Sequence, residues 1–424
     1  MKIYAGFYKD FKKNRLSASG GAATALSEAV IKRGGIVYGA VYEGDYYSAR
    51  YDYADSLNDL DKFKGSKYAF VNKTVVRNGI KTGLYQDVAK MLESGTMVLL
   101  IGLGCDIGNM YRFLEAHNMD SRNLFTVELL CHGCTYPEVH RDYILAMEAE
   151  YKSKIIGFNL RYKDENWEPT YVYMKFENGT EVKRSFDYSE YAYAFYNYKM
   201  KSCYDCPYKG MGNHRAHLAV GDYWGCCEGM EAYNPTGVSL IVIQDEGGYE
   251  LIDKIDRNEY RLVDIADKSF PFENNRSYLI TNKRREDWNF FDQGIREEGL
   301  MPFVHGIWKK NMPKRFINKK FKKIVVWGAG QAFLQNYEEI ESVCDIAYVC
   351  DTNEAKYGGR LKGKEVKAPY CLPKEDNIFV VITVNSVNAK FSIVNELLDM
   401  GIMDFDFFEN WITYSKAGRN VDEV

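Results

Sequence analysis

The sequence predicts an α/β protein, with α+β elements in its N-terminal domain and a Rossmann-like parallel sheet in its C-terminal domain. Three observations carry this. Short apolar runs, Thr96–Ile101, Phe125–Leu130 and Gly237–Ile243, alternate with segments of helical spacing. Two of those runs end in cysteines beside glycines, Gly102-Leu-Gly-Cys105 and Cys131-His-Gly133, the place where α/β folds put their chemistry. Lys322–Phe333 then reads as a strand, a G-x-G turn and a helix start.

At 424 residues the chain exceeds one ordinary core. The pattern changes place a first domain at 1–262, a partly helical connection at 263–320 and the Rossmann-like domain at 321–424. Charged residues at 27% and hydrophobic ones at 46% are near the globular average, which excludes a mostly disordered chain. A net charge of -4 gives no reason to expect nucleic acid as a partner. The 34 tyrosines and 23 phenylalanines point to core stacking or to planar ligands. No apolar leader and no run of membrane-spanning length is found, so no stable membrane insertion is expected and the expected location is the cytoplasm. Ten cysteines there mean metal binding, redox chemistry or burial rather than a disulfide framework. A homodimer is compatible with the sequence, and nothing in it decides the point.

Taken in order, Ser17–Leu26 is a small-residue turn leading into a helix that ends at Gly34-Gly35. Ser19, Gly20 and Gly21 let backbone approach closely ahead of a helix start, as a phosphate would require; an N-cap with tight packing explains the same residues. Ile36–Tyr42 is a strand with Tyr51–Ala54 pairing near it. Gly65-Ser66-Lys67-Tyr68 places a hydroxyl, an ammonium and a phenol after a glycine, a weak nucleotide signal without the rest of a P-loop. Helices are expected at 84–94, 107–117 and 137–151, and a hairpin over 155–185 turning at Asn178-Gly179. The stretch from Asp264 to Phe321 lacks strong periodicity, and its basic cluster Lys309–Lys323 reads as a linker or a solvated face. In the last domain Asp351 ends a second strand where such folds bind a ribose hydroxyl, but Phe333 stands where the third fingerprint glycine would be.

Cys203-x-x-Cys206 lets two sulfurs face one point. With Cys131-x-x-Cys134 it has the spacing of a zinc site; with Cys105 and Cys131 it could serve a four-iron cluster; buried free cysteines would look the same. The residues leave these readings open.

Ser19-Gly-Gly-Ala-Ala-Thr-Ala-Leu26, Lys64-Gly-Ser-Lys-Tyr68, Gly102-Leu-Gly-Cys-Asp-Ile107, Cys131-His-Gly133, Ser202-Cys-Tyr-Asp-Cys206, Gly221-Asp-Tyr-Trp-Gly225 and Gly237-Val-Ser239 follow the order seen in the coenzyme F-420 hydrogenase/dehydrogenase beta-subunit family, which this chain resembles over roughly residues 15–260. The resemblance implies an FAD and 4Fe-4S oxidoreductase, with relatives in bacterial polysaccharide clusters. With it, Cys105, Cys131, Cys203 and Cys206 are the candidate cluster ligands, with zinc as the alternative metal; Ser19, Gly20, Gly21, Ser66 and Lys67 are the candidate phosphate contacts of FAD, and Asp222 and Trp224 are candidates to shape the flavin or cluster pocket. Tyr68 and His132 are the candidate proton donors. The family segment Gly-Thr-Pro-Cys-Gln is replaced by Gly102-Leu-Gly-Cys-Asp106, and no cysteine precedes Cys105, so electrons are expected from an external donor such as ferredoxin. The substrate expected is a sugar nucleotide or a deazaflavin. The alternative is a non-redox glycan-pathway protein whose C-terminal module, similar to those of sugar-modifying proteins, binds a sugar nucleotide.

Overall fold

The computed structural model describes residues 2–168, 170–311, 323–374 and 377–419. The chain forms two compact units, Met1–Val182 with Ala194–Leu300, and Lys183–Tyr193 with Met301–Val424. The segment expected to connect domains is helical at Ser269–Asn274, Trp288–Glu298 and Leu300–Asn311, and all but the last of these lies within the first unit. Trp288, Phe291 and Ile295 supply a buried face at helical spacing. Most of the basic stretch Lys309–Lys323 lies outside the described residues.

The first unit is built on a nine-stranded mixed sheet in the order 260–264, 2–8, 239–243, 218–222, 124–129, 98–102, 36–42, 49–54, 71–72. Strands 36–42, 98–102, 124–129 and 218–222 run parallel to one another. The strand at Val98–Gly102 is buried throughout, as the centre of a sheet covered on both faces must be. Its side chains alternate: Leu99 and Ile101 pack with helix Ala22–Ile31, Val98 and Leu100 with helices Leu84–Glu93 and Gly104–Ala116. Strand Lys2–Tyr8, which the sequence did not announce, lies between 239–243 and 260–264, antiparallel to both. A separate pairing joins Ile155–Tyr162 to Tyr171–Phe176, and the expected turn forms at Gly179, where φ is +87.

The consequence for function is geometric. Four parallel strands deliver their carboxyl ends to one edge of the sheet, and Cys105, Cys131 and Asp222 all follow or terminate those strands.

The second unit carries a six-stranded sheet in the order 360–361, 364–367, 346–350, 323–327, 378–382, 405–407. Pairing is parallel among its five longer neighbours, and helices Gln331–Val343 and Val387–Asp399 connect them, the Rossmann-like arrangement expected. Cys350 is a core residue here. A buried charged group belongs to this unit too: His305 Nε2 meets Glu190 Oε1 at 2.8 Å, and Lys416 pairs with Glu339.

Candidate functional site

The cysteine edge is assembled by contacts that small residues permit. Gly104 and Gly108, in the first turns of the helix that carries Cys105, lie under the ring of Tyr208. A Cβ at Gly108 would stand 2.3 Å from that ring. Tyr208 follows Cys206-Pro207, so this seat brings the Cys206 segment against the Cys105 helix. Gly133, at φ +99, faces the Cβ of Cys203 and the stem of Lys199. The Cys134 amide donates to Cys203 Sγ at 3.4 Å, the Gly133 amide to Cys131 Sγ at 3.2 Å, and Lys209 Nζ to the Cys131 carbonyl at 2.6 Å.

The thiols therefore feel one another. Burial and then Asp106 and Cys131 push Cys105 up to about 12; burial, with Cys203 and Cys206 adding to it, raises Cys131; burial, Cys131 and Cys203 raise Cys134. Thiols packed this way cannot ionise together unless a cation lies among them. Among the described residues no group of three or more His, Cys, Asp or Glu that could hold a metal ion is found.

The departure at Asp106 is accommodated structurally. Its carboxylate, 1% exposed, accepts from Tyr51 at 2.7 Å and pairs with Lys73 at 2.7 Å while capping the helix. The nearby histidines are structural: His214 pairs with Glu128 and stacks on Tyr278, and His217 Nδ1 accepts from the Thr126 amide at 3.0 Å. His132 lines an open cleft of about 330 Å³ with Arg276, Ser277 and Asn282, and its pKa is lowered by burial, then by Lys199 and Lys209. Cys226 packs in the core, and Cys227 is exposed.

Tyr68 and the Asp222–Trp224 pair, far apart in sequence, are gathered by a residue that sequence reasoning missed. Arg161 donates from Nη1 to Asp222 Oδ2 at 2.8 Å and to Tyr68 Oη at 3.2 Å, with its guanidinium 5.4 Å from the Trp224 ring. Trp224 stacks on Trp167 at 5.0 Å, and Tyr68 on Phe195 at 4.6 Å. Lys163, two residues on and just past the strand's end, donates to the carbonyls of Asn14, Ser19 and Thr236, and burial lowers its pKa to about 7. The signal available was the alternation Asn159, Arg161, Lys163, which reads equally well as a solvated face.

Ser19, Gly20 and Gly21 form a packed junction. The Ser19 hydroxyl meets that of Ser239 at 2.9 Å, and a Cβ on Gly20 would lie 2.0 Å from the Gly6 carbonyl. Gly21, at φ +84, precedes helix Ala22–Ile31, whose first amide donates to the Ser239 hydroxyl at 3.3 Å. Ser66 shares its turn with Lys67, whose ammonium donates to the carbonyls of Lys62, Phe63, Lys64 and Gly65. Those hydrogens point into its own turn rather than toward a phosphate. In the second unit Asp351, expected to meet a ribose, accepts from the Ala329 amide, in the Gly-Ala-Gly turn after the neighbouring strand, at 2.8 Å and from Lys356 Nζ at 2.9 Å.

Residues 95–268 match the family described as the C terminus of the coenzyme F420 hydrogenase/dehydrogenase beta subunit, a stretch that includes Cys105, Cys131, Cys134, Cys203 and Cys206 together with Asp222 and Trp224. Among solved structures the chain is similar to one in the F420-reducing [NiFe] hydrogenase complex from Methanosarcina barkeri, at 15% identity and a TM-score of 0.42, over 65% of this chain and 90% of that one. Comparison with curated proteins gave no match. No described helix is long and apolar enough to cross a membrane.

Proposed function

We propose that this protein is an oxidoreductase that passes electrons between a 4Fe-4S cluster, FAD and a hydride-accepting substrate. The observation that carries the reading is the convergence of cysteines from three separate segments on the carboxyl edge of a parallel sheet, within the residues matched by a family of hydrogenases and dehydrogenases. Cys105, Cys131, Cys203 and Cys206 would hold the cluster, with Cys134 beside them. The basic side chains Lys199 and Lys209 lie where they offset the negative charge that four thiolates bring.

Tyr68, Asp222, Trp224, Ser19, Gly20, Gly21 and Ser66 would border the flavin, and the fit is supported by three buried donors without partners among the described residues, Nε and Nη2 of Arg161 and Nε1 of Trp167. FAD, when bound, supplies the junction between one-electron and two-electron chemistry. The chain's own residues then orient and protonate. Asp222 fixes the Arg161 guanidinium; Tyr68, hydrogen-bonded to that guanidinium, and His132, whose proton affinity is lowered, would exchange a proton with substrate. An external carrier such as ferredoxin supplies the electrons, and a deazaflavin or a sugar nucleotide of polysaccharide synthesis receives them. The cytoplasm is where such chemistry would proceed.

The test is anaerobic purification with iron, sulfide and flavin analysis. Expected are about four irons and one FAD per chain, and a Cys203→Ser variant that loses most iron and keeps most flavin. A colourless wild-type protein containing neither overturns the proposal.

A further inference from the structure

The Arg161 side chain is 6% exposed, and its contacts divide by edge. Nη1 is used by Asp222 and Tyr68, whereas Nε and Nη2 have no hydrogen-bond partner among the described residues. Those two N–H groups form the side edge of the guanidinium, the pair whose parallel bonds match two oxygens of one carboxylate or phosphate. Trp167 Nε1, carried on the ring stacked against Trp224, is a third buried donor without a partner among the described residues. Buried polar groups in folded proteins are satisfied as a rule, so buried donors left without a partner among the described residues call for an acceptor that the chain does not supply.

The charge at this edge suits an anion. The Arg161 guanidinium is buried and stays charged, and its one acid among the described residues, Asp222, is met through Nη1 alone. A ligand group bringing negative charge to the other edge gives those donors acceptors.

We propose that the open edge of Arg161, with the Trp167 indole N–H, is a receptor for an oxyanion, phosphate or carboxylate, carried by the small molecule this site takes. Asp222 and Tyr68 act as positioning residues that clamp the inner edge so the outer one is presented. Replacing the fork by a single ammonium removes the paired geometry while keeping the charge. The assignment adds an anionic substrate or cofactor group to the redox reading and is read out even where that reading fails.

The experiment compares wild type with Arg161→Lys, each as purified, in two measurements: flavin bound per chain, and the rise in melting temperature with sodium phosphate, pyrophosphate or malonate against sodium chloride at equal ionic strength. General salting effects are common to both proteins and cancel between them. If the oxyanion is a phosphate of the cofactor, the variant retains several-fold less FAD. If it belongs to a second ligand, the variant keeps its flavin and wild type alone is stabilised, with an apparent affinity about tenfold higher. Equal flavin and equal anion response in the two folded proteins overturn the proposal, whatever the iron content. Should Arg161→Lys fail to fold, titration of wild type followed by tryptophan emission decides, and a protein that shows no saturable change with any of the three anions, and binds no FAD, overturns it.

Discussion

Each of the two sheets places an aspartate at the carboxyl end of a parallel strand beside a glycine turn, and the two carboxylates do opposite things. Asp351 takes the Ala329 amide, from the turn after the neighbouring strand, and the Lys356 ammonium, so its donors are supplied by the protein itself. Asp222 reaches a guanidinium from a different strand pair and leaves that group with an unfilled edge. The same motif thus supports a self-contained pairing in one unit and an incomplete, ligand-seeking cluster in the other. What separates them is whether the polar atoms find partners inside the protein.

The contrast is broken most directly by Asp222→Asn. It strands a guanidinium that is 6% exposed in its side chain, and should cost about 3–5 kcal/mol in urea unfolding. A loss no larger than that of an exposed pair would show that Arg161 is solvated. Next, Gly108→Val drives a side chain into the Tyr208 ring and should cost about 1–3 kcal/mol, with lower iron content because the Cys206 segment is displaced.

A third test concerns acid. Burial would raise Glu190, but Lys416, His305 and Arg184 outweigh it and hold its pKa at about 2, below the usual 4.5. A carboxylate depressed in the folded state contributes stability above its unfolded pKa that is lost as pH falls through the folded one. The second unit should therefore lose stability between about pH 4.5 and 2, as followed by circular dichroism, and Glu190→Gln should flatten that dependence. Smallest is Asp351→Ala, at about 1–2 kcal/mol by thermal melting, since only a turn is loosened. If it equals Asp222→Asn, the two aspartates are not different in kind.

The sequence made the parallel strands legible because Val98–Gly102 and Leu124–Leu129 are apolar runs bounded by glycines or turn residues, and it made the cysteines legible because they follow those strands. Tyr68, Asp222 and Trp224 could be chosen from motifs, but not the reason they meet. Arg161 and Lys163 sit on and just past a strand whose alternating pattern is that of any half-exposed hairpin, and only tertiary packing buries them. Lys67 shows the converse: its motif suggested a ligand, while four nearby carbonyls offered its ammonium a shorter path. Strand Lys2–Tyr8 was missed since its partners lie more than two hundred residues away.

That last pairing has a bearing on biosynthesis. With Lys2–Tyr8 sandwiched between 239–243 and 260–264, the emerging polypeptide carries two unpaired edges until position 264 has left the ribosome, on the order of tens of seconds at ordinary elongation rates. Throughout that interval the nascent chain is a substrate for chaperones and proteases, so yield in a heterologous host should respond to slower growth temperature and holdase supply more than to any change at the mature surface.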